Sequence, residues 1–231
     1  MLISRYSTPD FNPYGDSTPV EPDLLWAAPR ARFPLATTLT LPGSKSLTNR
    51  ELVLSALADA PSRLCAPLHS RDSFLMVDAL RSLGTTIETI PCNNPFGDDW
   101  LITPAEELLG STTIDCGLAG TVMRFMPPVA ALALGPTLFD GDEGARKRPM
   151  AVTISSLHAL GVDINADGRS FLPFTVHGTG NISGGEITID ASSSSQFVSG
   201  LLLAAARFDD GLHLRHESQH LPSLPHIEMT I

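Results

Sequence analysis

What most constrains this chain is a device it repeats. Ile114-Asp115-Cys116-Gly117-Leu118-Ala119-Gly120-Thr121-Val122-Met123-Arg124 reads as a strand end, a small-residue loop and a helix start, and Ile189-Asp190-Ala191-Ser192-Ser193-Ser194-Ser195-Gln196-Phe197-Val198 reads the same way. The two Asp residues lie 190 − 115 = 75 positions apart. A second element recurs at nearly that interval. Asp78-Ala79-Leu80-Arg81-Ser82-Leu83-Gly84-Thr85-Thr86-Ile87 matches Ser155-Ser156-Leu157-His158-Ala159-Leu160-Gly161-Val162-Asp163-Ile164, with glycines 161 − 84 = 77 apart. In both, a helix ends at a C-cap Gly and a strand follows. Two independent elements sharing one period imply a duplicated structural unit. Each unit reads strand, small-residue loop, helix, loop, helix, Gly, strand, strand. The predicted fold class is α/β, made of repeated βαβαββ units.

The same device stands at Leu41-Pro42-Gly43-Ser44-Lys45-Ser46-Leu47-Thr48-Asn49-Arg50. Thr37–Leu41 before it reads as a strand and Glu51–Ala58 after it as a helix. Free backbone N–H groups and the helix dipole favour an anion at such a helix start. Lys45 adds a mobile point charge, and Arg50 adds a planar fork suited to phosphate or carboxylate. An ordinary capped helix with a solvated Lys and Arg is the plainer reading, and the repetition argues against it. If the units pack around a pseudo-symmetry axis, their helix N-termini converge on one concave anion site. A P-loop is excluded in detail: Ser44 separates Gly43 from Lys45, and no Gly stands at the required upstream spacing.

Charge sharpens this reading. The net charge is −10, which argues against nonspecific nucleic-acid binding. The only two lysines, Lys45 and Lys147, both fall in candidate anion loops. Cys65, Cys92 and Cys116 are widely spaced with no CxxC pair, so neither a disulfide framework nor a thiolate metal site is expected. A reducing, cytoplasmic setting follows. No signal peptide is read at Met1–Arg5, and the longest apolar run, Phe197–Ala206, is too short for a bilayer. His213, His216 and His220 do not share one face of a strand, so no metal is expected there. Ser192–Ser195 lack a His–Asp partner placed by sequence, and anion binding explains their hydroxyls better than nucleophilic catalysis.

Residues 1–33 are Pro-rich and read as a poorly ordered extension. A helix is predicted over Ser73–Leu83 with Asp72 as N-cap, then strands over 85–90 and 100–103. The second unit begins near Thr112, and Pro127-Pro128 is expected in the first turns of its first helix. A strand at Thr137–Asp140 leads to an exposed loop, 141–149, and to a helix over 150–160 with Pro149 at its first position. The third unit begins near Glu186, with a helix over 196–207 and a strand over 212–215. The second helix and last two strands of that unit are not found before Ile231, so the third unit is expected to be truncated and the chain to belong to a longer one.

The motifs Pro42-Gly43-Ser44-Lys45-Ser46 with Asn49-Arg50, Ala119-Gly120-Thr121 with Arg124, Arg148-Pro149, and Ser194-Ser195-Gln196-Phe197 together resemble the enolpyruvyl-shikimate-phosphate synthase family. Asp115–Thr121 is most similar to the enzymes of high-GC Gram-positive bacteria. The resemblance implies a two-domain fold of βαβαββ units around pseudo-threefold axes, with 34–42 a first strand of the other domain and 43–231 a substrate-binding domain. It implies transfer of the enolpyruvyl group from phosphoenolpyruvate to the 5-hydroxyl of shikimate 3-phosphate. It further implies a pocket that glyphosate shares, no cofactor or metal, no nucleic-acid or membrane partner, and a monomer once a C-terminal domain is present.

Site roles follow from the same resemblance. Lys45, Ser46, Arg50, Ser194, Ser195, Gln196 and Ser223 would hold shikimate 3-phosphate. Lys45, Gly120, Gln196 and Arg146, with Arg148 as the alternative to Arg146, would hold phosphoenolpyruvate. Arg124 would be structural. The catalytic acid and base would lie in the other half. Leu118 and His226 depart from the family's usual Asn and Tyr. The sister transferase acting on UDP-N-acetylglucosamine typically has Asn where Ser46 stands, and a Cys in the loop matching 141–149. A noncatalytic anion-binding half is the reading from a different class.

Overall fold

A computed structural model describes residues 30–231. The chain divides after Thr40. Residues 30–40 are exposed and form neither helix nor strand, and most of the extension expected over 1–33 lies outside the described residues. The strand expected at Thr37–Leu41 is not formed. β-Branched side chains favour extended backbone, but a strand also needs a ladder, and no described strand pairs with this segment.

The body, Leu41–Ile231, is built from the repeats. The first gives α1 (Lys45–Ala56), β1 (Ser62–Leu64), α2 (Arg71–Ser82), β2 (Thr86–Ile90) and β3 (Asp99–Thr103). β1 and β2 flank β3, both antiparallel to it. Helix α1 begins at Lys45 rather than Glu51, with Ser44 as its N-cap: the hydroxyl accepts from the Leu47 N–H at 3.4 Å. The run read as a loop is therefore the first turn itself. In α2 the cap is Ser70, in a capping box with Ser73. Asp72 falls inside the first turn, a correction to its expected role.

The second repeat is a full βαβαββ unit. It comprises β4 (Thr112–Asp115), α3 (Gly120–Ala131), β5 (Leu134–Asp140), α4 (Ala151–Ala159), β6 (Asp163–Asn165) and β7 (Phe174–Thr179). The sheet order is β4-β5-β7-β6, with β4 and β5 parallel and the other pairs antiparallel. Gly84 and Gly161, which follow the C-cap residues Leu83 and Leu160, both take positive φ, 105° and 82°. Pro149 precedes Met150, the N-cap of α4, rather than opening the helix. Pro127 and Pro128 lie in the interior of α3, not in its first turns.

The third repeat gives β8 (Gly185–Ile189), α5 (Gln196–Ala205), β9 (Leu212–His216) and α6 (Leu224–Glu228), with β8 and β9 parallel. Pro128 has no N–H to give the Arg124 carbonyl. That carbonyl faces Gly200 of α5, where any Cβ would collide with it. The pairing of Pro and Gly lets the two helices approach closely.

Helices α1, α3 and α5 pack on one another through buried side chains that include Leu52, Val53, Phe125, Met126 and Leu201. Helix α2 packs on β4, the first strand of the next repeat, and α4 packs on β8 in the same way. The repeats are thus related cyclically, and the N-termini of α1, α3 and α5 point to one end of the body.

Candidate functional site

Those three N-termini meet at a pocket of about 230 Å³ lined by Lys45, Ser46, Asp72, Leu118, Gly120, Thr121, Arg124, Arg148 and Gln196. The repeat extends to its side chains. Ser46, Thr121 and Gln196 are equivalent: 121 − 46 = 75 and 196 − 121 = 75. Asn49, Arg124 and Ser199 share the same spacing, 124 − 49 = 75 and 199 − 124 = 75. These two sets bond to each other around the axis. Asn49 Nδ2 donates to Thr121 Oγ1 at 2.6 Å, and Arg124 Nη1 donates to Gln196 Oε1 at 2.7 Å. The third link runs through Arg50, whose Nη2 donates to Ser199 Oγ at 2.9 Å and whose Nη1 donates to the Ser46 carbonyl at 2.8 Å. The 75-residue interval, carried back to α1, was the sequence signal for this ring.

Arg50 is therefore a tie rather than a lining residue. It is buried; its Nε donates to Thr230 Oγ1 at 2.7 Å and its Nη2 also to the His226 carbonyl at 2.9 Å. Its guanidinium lies 5.2 Å from the Phe125 ring centroid. Arg50 does not line the pocket directly; four of its five N–H donors join α1 to α5 and to the segment of α6. His226 likewise contributes its carbonyl here.

Arg146 and Arg148 lie differently with respect to the pocket. Arg146 makes a two-pronged contact with Asp140 at the end of β5, 2.8 and 2.6 Å, and lies outside the pocket lining. That hydrogen bond holds the Asp140 carboxyl below the usual carboxylate range. Arg148 lines the pocket, with Nη1 donating to the Leu118 carbonyl at 2.8 Å. Arg124 lies beside it, stacked 4.9 Å from the centroid of Phe197. Burial, and then the charge of Arg148, pull the Arg124 guanidinium down to about 10. The Arg124 Nε is buried without a partner. Two guanidiniums side by side in a partly buried pocket favour an anion near them.

Lys45 Nζ is 2.9 Å from Asp72 Oδ2, a contact the sequence did not suggest because it joins α1 to α2. Gly120 is the first residue of α3; a Cβ there would lie 3.1 Å from Arg124 Nη1 and from Gln196 Oε1. Ser194 Oγ accepts from the Gln196 N–H at 3.3 Å, and Ser195 is buried. Ser223 is exposed, with φ 53°, at the start of α6. None of these three serines lines the pocket. Leu118 puts an apolar side chain, 41% exposed, on its rim. A larger cavity, about 530 Å³ between α4 and β8, is lined by three carboxylates and no cation, which unsuits it to an anion. Among the described residues no group of three or more His, Cys, Asp or Glu is placed to hold a metal.

The repeats around this site have the enolpyruvyl transferase fold. EPSP synthase from Acinetobacter baumannii superposes with a TM-score of 0.63 at 24% identity, over 74% of this chain and 38% of that one. The enolpyruvyl transferase NikO from Streptomyces tendae gives 0.53 at 18% identity, over 77% and 39%. The chain belongs to the EPSP synthase (3-phosphoshikimate 1-carboxyvinyltransferase) family, which it matches over residues 29–231. It is 56% identical over 214 residues to the 3-phosphoshikimate 1-carboxyvinyltransferase of Kocuria rhizophila, covering 90% of this chain and 48% of that protein. The figure for the Mycobacterium ulcerans protein of the same name is 49% over 210 residues, 89% and 47%. The chain spans about half the length of these relatives.

Proposed function

We propose that this chain supplies the anion-binding half of an enzyme that moves the enolpyruvyl group from phosphoenolpyruvate to the 5-hydroxyl of shikimate 3-phosphate. The observation that carries the reading is the convergence of three helix N-termini with Lys45, Arg124 and Arg148 on one pocket. In the reaction the 5-hydroxyl oxygen adds to C2 of phosphoenolpyruvate while C3 gains a proton. The tetrahedral adduct then expels phosphate. Charge shifts among a carboxylate and two phosphates, so fixed cations and N–H dipoles stabilise it without reorganising. Lys45, Gly120, Arg148 and Gln196 are the proposed phosphoenolpyruvate contacts. Lys45, Ser46 and Gln196, with Ser194 and Ser195 at the start of α5, are proposed for shikimate 3-phosphate. Arg50 acts from behind by holding α1 against α5. The single carboxylate of the pocket is tied to Lys45 and no His lines it, so the acid and base for the proton transfers come from the remainder of the enzyme.

The test is calorimetric titration of phosphoenolpyruvate, with and without shikimate 3-phosphate, into an enzyme of the relatives' full length. Arg148→Gln should weaken phosphoenolpyruvate binding by about tenfold or more, and Arg146→Gln by less than about threefold. The reverse order, or no dependence on either, would refute the assignment of the pocket.

A further inference from the structure

The pocket carries one acidic side chain, and the proposed chemistry gives it nothing to do. Asp72 stands in the first turn of α2, its carboxylate on Lys45. A carboxylate near Lys45, Arg124 and Arg148 repels the anions these cations attract. One account of it is local: an acidic residue in a first turn complements the helix dipole. The surroundings support another. Lys45 carries its charge on a flexible four-carbon stem, and half of its side chain is exposed. The backbone that carries Asp72 is anchored on both sides. Ser70 and Ser73 close a capping box around it, and Ser73 Oγ also donates to the Leu68 carbonyl. The Leu68 N–H donates in turn to Thr48 Oγ1 of α1 at 3.0 Å. On the other side, Arg71 is pinned to Asp142 at 2.8 Å. The start of α2 is thus fastened to α1, and its one carboxylate meets the ammonium of Lys45.

We infer that Asp72 is a positioning residue: it holds the Lys45 ammonium over the pocket and fixes the direction from which it meets an arriving anion. The inference rests on the proposed reaction and deepens it. It trades some attraction for orientation, so removing the carboxylate should affect turnover and binding in opposite senses.

The experiment uses the full-length enzyme with Asp72→Asn, Asp72→Glu, Lys45→Met and the Asp72→Asn/Lys45→Met double variant. Asp72→Asn should lower kcat about 10–100-fold, the loss expected from a misplaced charge, while KM for phosphoenolpyruvate stays level or falls. Asp72→Glu should recover part of kcat. In the Lys45→Met background, Asp72→Asn should change kcat by less than about twofold, because the partner is gone. A lowered melting temperature with kcat of the folded enzyme intact would leave only the helix-dipole role and overturn the inference. An equal kcat loss in both backgrounds would also overturn it, since Asp72 would then act without Lys45. Full activity in Lys45→Met would overturn the proposed function itself, which separates the two failures.

Discussion

Gly120 offers a clean separation of binding from folding. Gly120 opens α3, and its φ is not in the left-handed region, so the backbone does not require glycine there. Alanine at an early helical position is, if anything, favoured, by up to about 1 kcal/mol over glycine. The added methyl would sit 3.1 Å from Arg124 Nη1 and Gln196 Oε1, and 3.4 Å from Arg148 Nη1. The first two atoms hydrogen-bond each other at 2.7 Å, so they cannot both retreat without loosening that link. Overpacking by a methyl costs about 1–3 kcal/mol. Side-chain ends yield more readily than backbone, so the lower end applies. Gly120→Ala should raise the dissociation constant for phosphoenolpyruvate roughly five- to tenfold. Its melting temperature should change little, because the helix-propensity gain of up to about 1 kcal/mol offsets a crowding cost near the lower end of that range. Glyphosate, placed in the same pocket by the family resemblance, is the longer molecule and should lose more. The assay is a melting curve beside titrations of both ligands in the full-length enzyme. Unchanged affinity for both, or a fall in melting temperature large enough to explain the loss, would refute this placement of the pocket.

Arg50→Met should destabilise the protein by about 2–4 kcal/mol, because the Ser199 and Thr230 hydroxyls and the His226 and Ser46 carbonyls lose a charged donor; urea unfolding measures it. Asp99 accepts hydrogen bonds from the Ala66 N–H and the Arg63 guanidinium, which hold its carboxyl below the usual range. A depressed carboxyl contributes stability that is present above its unfolded value, about 3.9, and is lost as pH falls towards its folded one. Asp99→Asn should therefore lower stability at pH 7 and flatten its decline below about pH 4, as thermal melts across that range would show.

The duplication was legible because it is written in residue types that turns and caps demand: Gly84 and Gly161, Asp115 and Asp190. Spacing alone placed β4, α3, β8 and α5 within a few residues. Direction was not legible. Composition alone points Arg50 at the same anion as Lys45. Both lie on α1, five residues apart, and at roughly 100° per residue their side chains diverge by about 140°. That angle exists only because the helix already includes Lys45. The choice between Arg146 and Arg148 depended on Asp140, which captures Arg146 from the end of β5. Asp72 gave no signal, since its partner comes from another helix. Thr37–Leu41 has strand composition but no ladder among the described residues.

The ring of Asn49, Thr121, Arg124, Gln196, Ser199 and Arg50 sets a problem of address. Turning a ligand by one third about the axis exchanges three nearly identical helix ends, so backbone dipoles alone do not say which way round it should lie. The side chains decide. The first end presents Lys45, the second Arg124, and their counterparts on the third, Ser195 and Ser199, carry no charge. A ligand with unequal groups at its two ends therefore does not meet the three helix ends alike. Divergence of the copies at a few positions turned a symmetric cradle into one that distinguishes head from tail.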